Sequence, residues 1–324
     1  MKISFITTIF NEEGTIGRFL DSLLIQTRMP EEIIIVDGGS RDNTVQEIEK
    51  WKTRKKIKNF KVLVKRGNRS VGRNEAIRHT SGEIIVCSDS GNILDKDWLK
   101  NIIEPFKKKD IDVVAGYYKG KAENVFQKCV IPYALVMSDQ VNPQNFLPAT
   151  RSVAFTKVIW KKVGGFDEKL SHNEDYAFAK ALQKIKAHIV LREDAIVYWI
   201  PRDTFRQAFV MMFRFAYGDA EARIWRPKVF LVFIRYVLAL ILLVNFFISR
   251  SEQILEFITF ILILYIVWSV RKNYRYVKDV RAVIILPLLQ FTADCAVILG
   301  TSTGILSLYN FKVRQWKDKM TTIL

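Results

Sequence analysis

Two aspartates in the sequence each follow an apolar run at the point where the run stops. Asp37 ends one such run and is followed by two glycines, and Asp89 ends the run Ile84–Cys87. If these runs are strands of an open α/β sheet, both carboxylates lie at the edge where such sheets bind ligands. A carboxylate there can accept hydrogen bonds from a ribose or a base, or hold a divalent cation beside phosphates. An ordinary aspartate that caps a turn is the alternative at each position.

Three further side chains could take part in the same chemistry. Phe10 closes the first apolar run and could pack against a base, and Arg73 lies near a predicted helix start, where its fixed charge suits a diphosphate. Asp175 follows Glu174 in the first turn of a predicted helix, whose dipole favours the ionised carboxylate that a general base requires. A core phenylalanine, a surface arginine and a capping carboxylate are the alternatives, and the joint order of these residues favours the functional interpretation.

Alternating strands and helices are predicted to position these residues. Right-handed crossovers bring the carboxyl ends of parallel strands to one edge, so Phe10, Asp37, Arg66 and Asp89 are expected to converge in an α/β, doubly wound sheet. The pattern predicts strands over Ile3–Ile9, Glu32–Val36, Phe60–Val64, Ile84–Cys87, Asp112–Tyr117 and Arg151–Phe155, and helices over Glu12–Gln26, Thr44–Trp51, Gly72–His79 and Tyr176–Lys184, with one more beginning near Asp95.

The composition separates two parts of the chain. Its 324 residues carry a formal net charge of +17 and are 49% hydrophobic. Up to about residue 225 the sequence alternates like a globular domain, and beyond that long apolar runs dominate. The positive charge suggests an anionic partner, for which anionic lipids and a diphosphate-bearing substrate are expected. No nucleic-acid-binding signature accompanies it, so no nucleic acid partner is expected.

The apolar runs predict a helical membrane region. Val229–Ile248 and Ile254–Val270 are candidate spans, and Val283–Leu308 is a third segment that either spans or re-enters. The basic segment Arg271–Arg281 is expected on the cytosolic side. Three full spans would place the basic tail Lys312–Lys319 outside, against that tendency, whereas a re-entrant third segment would keep it in the cytosol.

Smaller features of the same region also carry predictions. Thr204–Arg223 interleaves aromatic and basic residues at helical spacing, which predicts a helix in the bilayer interface or, alternatively, a core-packing helix. Its Arg206 and Arg214 are candidate acceptor contacts. In the third apolar segment, Asp294 is a candidate functional or packing residue, and Gly300-x-x-x-Gly304 would allow close helix contact.

Short motifs follow one another between about residues 3 and 180. They are Thr8-Ile9-Phe10-Asn11-Glu12-Glu13, Val36-Asp37-Gly38-Gly39-Ser40-Arg41-Asp42-Asn43-Thr44, Gly72-Arg73-Asn74-Glu75-Ala76-Ile77, Gly82-Glu83-Ile84-Ile85, Asp89-Ser90-Gly91, Asp97-Trp98-Leu99, Gly164-Gly165-Phe166-Asp167-Glu168 and Glu174-Asp175. In these motifs the sequence resembles the family-2 inverting glycosyltransferases of the GT-A fold. The resemblance implies a Rossmann-like mixed sheet and transfer of a sugar from a nucleotide donor.

The resemblance also implies roles for single residues. Phe10 and Asp37 would bind the base and Arg73 the diphosphate, Asp89 would hold the divalent cation, and Asp175 would act as the general base. The donor site then comprises Phe10, Asn11, Glu12, Asp37, Arg73, Asp89 and Ser90, the catalytic pair is Asp175 with Glu174, and the acceptor contacts are Arg151, Ser152, Arg206 and Arg214.

One departure from the family pattern falls on the expected cation site. Many relatives carry Asp-x-Asp where this chain has Asp89-Ser90-Gly91, so Gly91 stands in place of the second aspartate. Mg²⁺ or Mn²⁺ can be held by one carboxylate together with phosphate oxygens and water, so a divalent cation stays expected. His172, three residues before Asp175, is a candidate extra ligand or, alternatively, a hydrogen-bonding neighbour.

These features predict three regions: a GT-A nucleotide-sugar transferase domain over residues 1–203, an amphipathic interfacial region over 204–226, and a transmembrane region over 227–324. The expected reaction moves a sugar from a UDP- or GDP-sugar to a membrane acceptor such as a polyprenyl phosphate, a lipid-linked oligosaccharide or a glycolipid. The protein is expected in the cell membrane, with its catalytic domain in the cytoplasm. The alternatives are a non-catalytic, membrane-anchored nucleotide-binding protein and a processive polysaccharide synthase, although the Gln-x-x-Arg-Trp motif of that subgroup is lacking.

Overall fold

The computed structural model describes residues 1–55, 59–108 and 110–309, which divide into two compact units. The first unit comprises Met1–Lys121 and Met137–Ile200, and the second comprises Ala122–Val136 and the described residues from Pro201 onward. The sequence predicts one domain over residues 1–203, whereas the structure groups residues 122–136 with the second unit. The reason is packing, since Tyr133 in this segment donates a hydrogen bond to the carbonyl of Leu286. The basic tail Lys312–Lys319 lies outside the described residues.

The first unit is built on a mixed sheet that, within the described residues, has eight strands. They are β1 (Ile3–Ile9), β2 (Glu32–Asp37), β3 (Phe60–Val64), β4 (Ile84–Cys87), β5 (Asn92–Leu94), β6 (Val113–Gly120), β7 (Val153–Thr156) and β8 (Ile189–Trp199). The spatial order is β3-β2-β1-β4-β7-β6-β8-β5. The first four strands are parallel, and β7 pairs antiparallel with both β4 and β6. The carboxyl ends of β1 to β4 therefore share one edge, as predicted.

Helices cover this sheet and connect its strands. They are α1 (Ile16–Leu24), α2 (Thr44–Lys55), α3 (Arg69–Arg78), α4 (Trp98–Ile103), α6 (Lys157–Val163) and α7 (Glu174–Lys184), while α5 (Val125–Ala134) belongs to the second unit. Buried aliphatic and aromatic residues of α1 pack with those of β1, β2 and α4 in one core cluster. Strands β1, β2 and β4 are almost wholly buried because both faces of a parallel sheet are covered.

The predicted strands at β1 to β4 are confirmed, and the differences lie in the connections. The short strand β5 separates β4 from α4, so that helix begins at Trp98 instead of near Asp95. Helix α1 begins at Ile16, later than predicted, because Gly14 with φ +74° belongs to a turn before it. Helix α3 begins earlier than predicted because the Asn68 side chain caps it, accepting a hydrogen bond from the Val71 backbone at 3.0 Å.

The second unit is helical. It contains α5, α8 (Phe205–Glu221), α9 (Pro227–Ser249), α10 (Glu252–Val277) and α11 (Ala282–Tyr309). Among the described residues, α9, α10 and α11 are long and apolar enough to cross a membrane, as predicted. They differ in burial, since no residue of the fully described α9 is buried, whereas α11 buries a continuous stripe of its residues.

The buried stripe of α11 packs against α8 through two glycines. A Cβ atom on Gly300 would lie 2.5 Å from the Phe213 carbonyl oxygen, and one on Gly304 would lie 2.7 Å from the Ala220 Cβ. The Gly300-x-x-x-Gly304 pair therefore allows the two backbones to approach closely. Most of α8 is buried, so the core-packing alternative describes this helix better than an interfacial helix with a free apolar face.

We expect Gly300→Ala to lower the free energy of unfolding by about 1–3 kcal/mol, the usual cost of overpacking, because the added methyl meets backbone that cannot yield. Gly17→Ala in α1 is the matched control, since a Cβ there meets nothing within 4 Å and alanine favours a helix by up to about 1 kcal/mol. Thermal unfolding of the full chain in detergent measures both. Equal stability of Gly300→Ala and the native chain would contradict the close packing.

Candidate active site

The ends of three parallel strands meet where the sequence predicts. A Cβ on Gly38, just after β2, would lie 3.6 Å from the Phe10 ring and 3.4 Å from the Gly67 carbonyl oxygen. Gly39 has φ +99°, and a Cβ added to it would lie 2.9 Å from the Cγ of Arg66. Phe10 is 55% exposed at the end of β1. This edge thus combines an exposed aromatic ring with close backbone approach, which suits a planar ligand.

Asp37 organises the loop that follows β2. Its Oδ2 accepts hydrogen bonds from the backbone amides of Gly39 (3.0 Å) and Ser40 (2.9 Å), and its Oδ1 accepts one from the Ser40 hydroxyl (2.5 Å). The side chain is buried, at 1% exposure. Asp37 therefore holds the loop in shape, and its contact with a base stays a prediction.

The loop after β1 is tied to both neighbouring loops. The Asn11 backbone donates to the Ser40 hydroxyl at 2.8 Å, and the Asn11 amide oxygen accepts from the Arg41 backbone at 2.9 Å. Glu12 accepts a hydrogen bond from the Ser90 hydroxyl at 3.1 Å. The predicted donor residues Asn11, Glu12 and Ser90 are thus brought together, across the ends of β1, β2 and β4.

Arg73 joins two carboxylates that are distant in sequence. Its Nη2 donates to Asp89 Oδ1 at 2.9 Å and its Nη1 to Glu174 Oε1 at 2.5 Å, while its guanidinium carbon lies 5.6 Å from the centre of the Phe166 ring. Arg73 is 1% exposed and Glu174 4%. The guanidinium faces carboxylates instead of solvent, so its direct contact with a diphosphate stays a prediction that this geometry does not favour.

Burial and charge shift the pKa values of Asp89 and Asp175 in opposite directions. Burial alone would raise the pKa of Asp89, but the guanidinium of Arg73, with those of Arg69 and Arg151, lowers it below its ordinary value. Burial, followed by the charge of Glu174, raises the pKa of Asp175. The helix dipole at the start of α7 predicts the reverse for Asp175, and desolvation outweighs it. Asp89 is thus held ionised, while Asp175 is a stronger base than an ordinary aspartate.

Arg151 presents hydrogen-bond donors near these carboxylates. Its guanidinium carbon lies 5.5 Å from the centre of the Tyr118 ring and 5.4 Å from that of Trp199. Within the described part of the chain, this guanidinium donates no hydrogen bond. Its charge contributes to the lowered pKa of Asp89 and offsets part of the rise in the pKa of Asp175. Cation–π contacts therefore hold the planar Arg151 guanidinium in place, and its N–H groups can donate to an anionic or hydroxyl-bearing ligand.

Two aromatic residues of this site, Tyr118 and Trp199, were not predicted. Tyr118 belongs to the doublet Tyr117-Tyr118 near the end of β6, and an aromatic pair at a strand end is the signal that could have indicated it. Ser152, in contrast, was predicted as an acceptor contact but lies in the core. It is 1% exposed, accepts from the Trp98 indole at 2.8 Å and donates to the Ala195 carbonyl at 3.3 Å. This geometry does not favour a ligand contact for Ser152.

Asp89 is the residue that could hold a divalent cation. One of its oxygens is bound to Arg73, the other has no partner among the described residues, and 38% of the side chain is exposed. In the described ranges no three His, Cys, Asp or Glu side chains form a metal-binding group. His172 lies beside the Ser171 hydroxyl, 2.9 Å from Nδ1. The site fits a cation that takes most of its ligands from phosphates and water, which is a common arrangement for Mg²⁺.

The predicted acceptor contacts Arg206 and Arg214 belong to α8 in the second unit. Arg206 is exposed and Arg214 is half-buried. Their roles in acceptor binding stay predictions.

Comparison with known proteins assigns the part of the chain that carries Phe10, Asp37, Arg73 and Asp89 to a family. Residues 4–151 match the family model for glycosyl transferase family 2. The chain is 28% identical over 227 residues to a poly-β-1,6-N-acetyl-D-glucosamine synthase of Staphylococcus epidermidis, covering 68% of this chain and 55% of the relative. The chain thus spans about half the length of this curated relative.

Solved structures share the fold. A mannosyltransferase of Pyrobaculum calidifontis in complex with GDP-Man and Mn²⁺ aligns with a TM-score of 0.54 at 16% identity, over 97% of this chain and 82% of its own. Residues 1–349 of TarS from S. aureus, in complex with UDP, align with a TM-score of 0.51 at 21% identity, over 95% and 91%. Residues 4–151 therefore match glycosyl transferase family 2, and the chain has a GT-A-like fold.

Proposed function

We propose that the protein is a membrane-anchored, inverting glycosyltransferase that moves a sugar from a nucleotide-sugar donor to a lipid-linked acceptor. The observation that carries the proposal is the cluster of Asp89, Arg73, Glu174 and Asp175 at the ligand-binding edge of a family 2 domain. The solved structures of similar fold in complex with GDP-Man and with UDP support a nucleotide-sugar donor.

Asp175 acts as the general base in this proposal. The pKa of Asp175 is raised towards neutral pH. A general base takes the proton of an acceptor hydroxyl most effectively when its pKa lies near the pH of the reaction. The deprotonated acceptor attacks the anomeric carbon in line, and the bond to the nucleoside diphosphate breaks. Arg73 and Glu174 position the reacting groups by fixing the start of α7 relative to Asp89. Arg151 offers its donors to the donor sugar, its phosphates or the acceptor.

A divalent cation, Mg²⁺ or Mn²⁺, would be held by Asp89, and it would supply positive charge beside the departing diphosphate. We expect EDTA to abolish nucleoside diphosphate release and added Mg²⁺ or Mn²⁺ to restore it. Asp89→Ala should lose activity that no cation restores. The control is Glu83→Ala, which removes an exposed carboxylate just before the opposite end of β4. Full activity in EDTA would indicate that Asp89 contacts the donor and is not a metal ligand.

The helices α9, α10 and α11 support a membrane acceptor, because apolar helices of this length hold a catalytic domain at the surface where a lipid head group lies. Anionic lipids would interact with the basic residues in segment 271–281. A polysaccharide synthase is the second candidate, and the similarity to the N-acetylglucosamine polymer synthase favours it.

A donor screen tests the proposal. The full chain in membranes is supplied with UDP- and GDP-sugars and with extracted lipids, and release of nucleoside diphosphate and the product are measured. We expect that release of nucleoside diphosphate requires a lipid fraction and that the product is a lipid that carries the sugar. Formation of a long polymer would favour the synthase, and donor binding with no transfer to any acceptor would favour a non-catalytic nucleotide-binding protein.

A further inference from the structure

Asp294 lies at the point where α9, α10 and α11 meet, and it is 2% exposed. Arg235 and Tyr236 of α9 and Tyr265 of α10 all donate to its Oδ2, the tyrosines at 3.2 and 2.7 Å. Gln290, one turn earlier on α11, donates to its Oδ1 at 2.9 Å. Because a carboxylate among apolar helices is costly unless it is paired, this cluster fixes the place at which α11 contacts both other helices.

Helices α9 and α10 form an antiparallel hairpin, since only Arg250 and Ser251 separate them. The α9 residues that share a hydrogen bond or a cavity with α11 lie within 229–236, and the α10 residues that share a hydrogen bond with it lie within 265–272. Both stretches are 13 to 20 residues from the turn. At about 1.5 Å per residue they lie roughly 20–30 Å from it, which is close to the thickness of the bilayer's hydrocarbon core. Helix α11 thus contacts the hairpin at the end far from its turn.

The contacts show that α11 runs across the hairpin. At Gln290 it accepts a hydrogen bond from Lys272 of α10, at 3.2 Å. At Thr301 it lines a cavity of about 200 Å³ together with Val229 and Phe233 of α9. Between these two positions α11 contacts both helices, through Phe291 with Tyr236 of α9 and through Asp294 with Tyr265 of α10. Its contacts therefore shift towards α9 along this stretch, as for a helix that crosses a hairpin and does not run along it.

Helix α8 lies beside the same stretch of α11 and runs in the same direction, since Gly300 faces Phe213 and Gly304 faces Ala220. Two charged residues of α8 adjoin this contact: Arg214 follows Phe213 in the chain, and Asp219 precedes Ala220 and lines a cavity with Thr301 of α11. If α11 crossed the bilayer, α8 would share its depth and bring these charges into hydrocarbon, where they are rare and costly. Helix α8, with 17 residues, is also not among the described helices that are long and apolar enough to cross a membrane.

We infer that α11 lies in the plane of the membrane, across the end of the hairpin where α9 begins and α10 ends, and that the described part of the chain crosses the bilayer twice, through α9 and α10. The inference rests on the membrane placement made in the proposed function, but not on catalysis. Tyr309 then stays on the same side as Lys228 at the start of α9. The partner of α11 is the near leaflet, because exposed apolar side chains such as Leu288, Leu299 and Leu306 lie outside its buried stripe and face the acyl chains.

Cysteine accessibility in the full-length chain tests this topology. Three single variants are made: Gln253→Cys beside the hairpin turn, Lys228→Cys at the start of α9, and Tyr309→Cys at the end of α11, all at exposed positions. Intact spheroplasts and permeabilised ones are treated with a membrane-impermeant maleimide. The native chain serves as the blank for Cys87, Cys129 and Cys295, the first two of which are buried.

We expect Gln253→Cys to be labelled in intact spheroplasts, and Lys228→Cys and Tyr309→Cys to be labelled above the blank only after permeabilisation. Labelling of both Gln253→Cys and Tyr309→Cys in intact spheroplasts would overturn the in-plane helix and leave the membrane anchor standing. Labelling of Gln253→Cys only after permeabilisation would show that the hairpin does not cross, and it would overturn the anchor and the inference together.

Discussion

Replacing Asp175 by asparagine is expected to lower turnover by about 10²- to 10⁴-fold, the usual contribution of a general base. Asparagine keeps the shape of the side chain but cannot take a proton. Donor affinity is expected to change little, because the Arg73 contacts to Asp89 and Glu174 do not involve Asp175. Release of nucleoside diphosphate and binding of the donor, measured on the same preparation, separate the two effects.

The pH dependence of the native chain provides an independent test of the same role. Burial and the charge of Glu174 raise the pKa of Asp175, and only its deprotonated form accepts a proton. Activity should therefore fall as the pH drops through this raised pKa, at a higher pH than for an ordinary aspartate. Glu193→Gln, which changes an exposed carboxylate of β8, is the control and should keep the native rate and profile. Unchanged turnover in Asp175→Asn would remove Asp175 as the base.

Strands β1, β2 and β4 can be predicted because their burial in the fold requires apolar residues at successive positions of the sequence. Strands β1, β2 and β4 lie in a parallel sheet covered on both faces, so each appears as an unbroken apolar run. Strand β8 was not predicted, since Glu193 and Asp194 interrupt it at exposed positions. Strand β5 is three residues long, too short for any periodicity to be read.

The candidate site was predicted by residue type but not by contact. A fixed charge such as Arg73 near a helix start has the same sequence pattern whether it faces solvent or a buried carboxylate. Its partner Glu174 lies 101 residues away, so the pairing depends on how α3 and α7 pack. In the membrane region, too, the sequence predicts the apolar segments but not the contacts between them. All three apolar segments have similar hydropathy, and only the packing of α11 against α8 distinguishes it from α9.

The buried ion pair of Arg73 and Glu174 leads to the largest expected effect on stability. Arg73→Met should lower the free energy of unfolding by about 3–5 kcal/mol, because it leaves the buried Glu174 carboxylate without its partner. Arg78→Met, in the same helix, is the matched control. Arg78 pairs with Glu75 and Glu168 at the surface with its side chain 52% exposed, and such pairs contribute at most about 1 kcal/mol.

The double variant Arg73→Met/Glu174→Gln distinguishes the loss of a partner from the loss of packing. The double variant also removes the unpaired Glu174 carboxylate, so it should recover a substantial part of the stability that Arg73→Met loses. Its activity should stay low, because Asp89 loses its hydrogen bond from Arg73 and the start of α7 is no longer fixed relative to it. Chemical unfolding in detergent gives the stabilities of all four chains. An equally small loss of unfolding free energy in Arg73→Met and Arg78→Met would contradict this role of Arg73. The loops alone would then determine the position of α7 relative to Asp89.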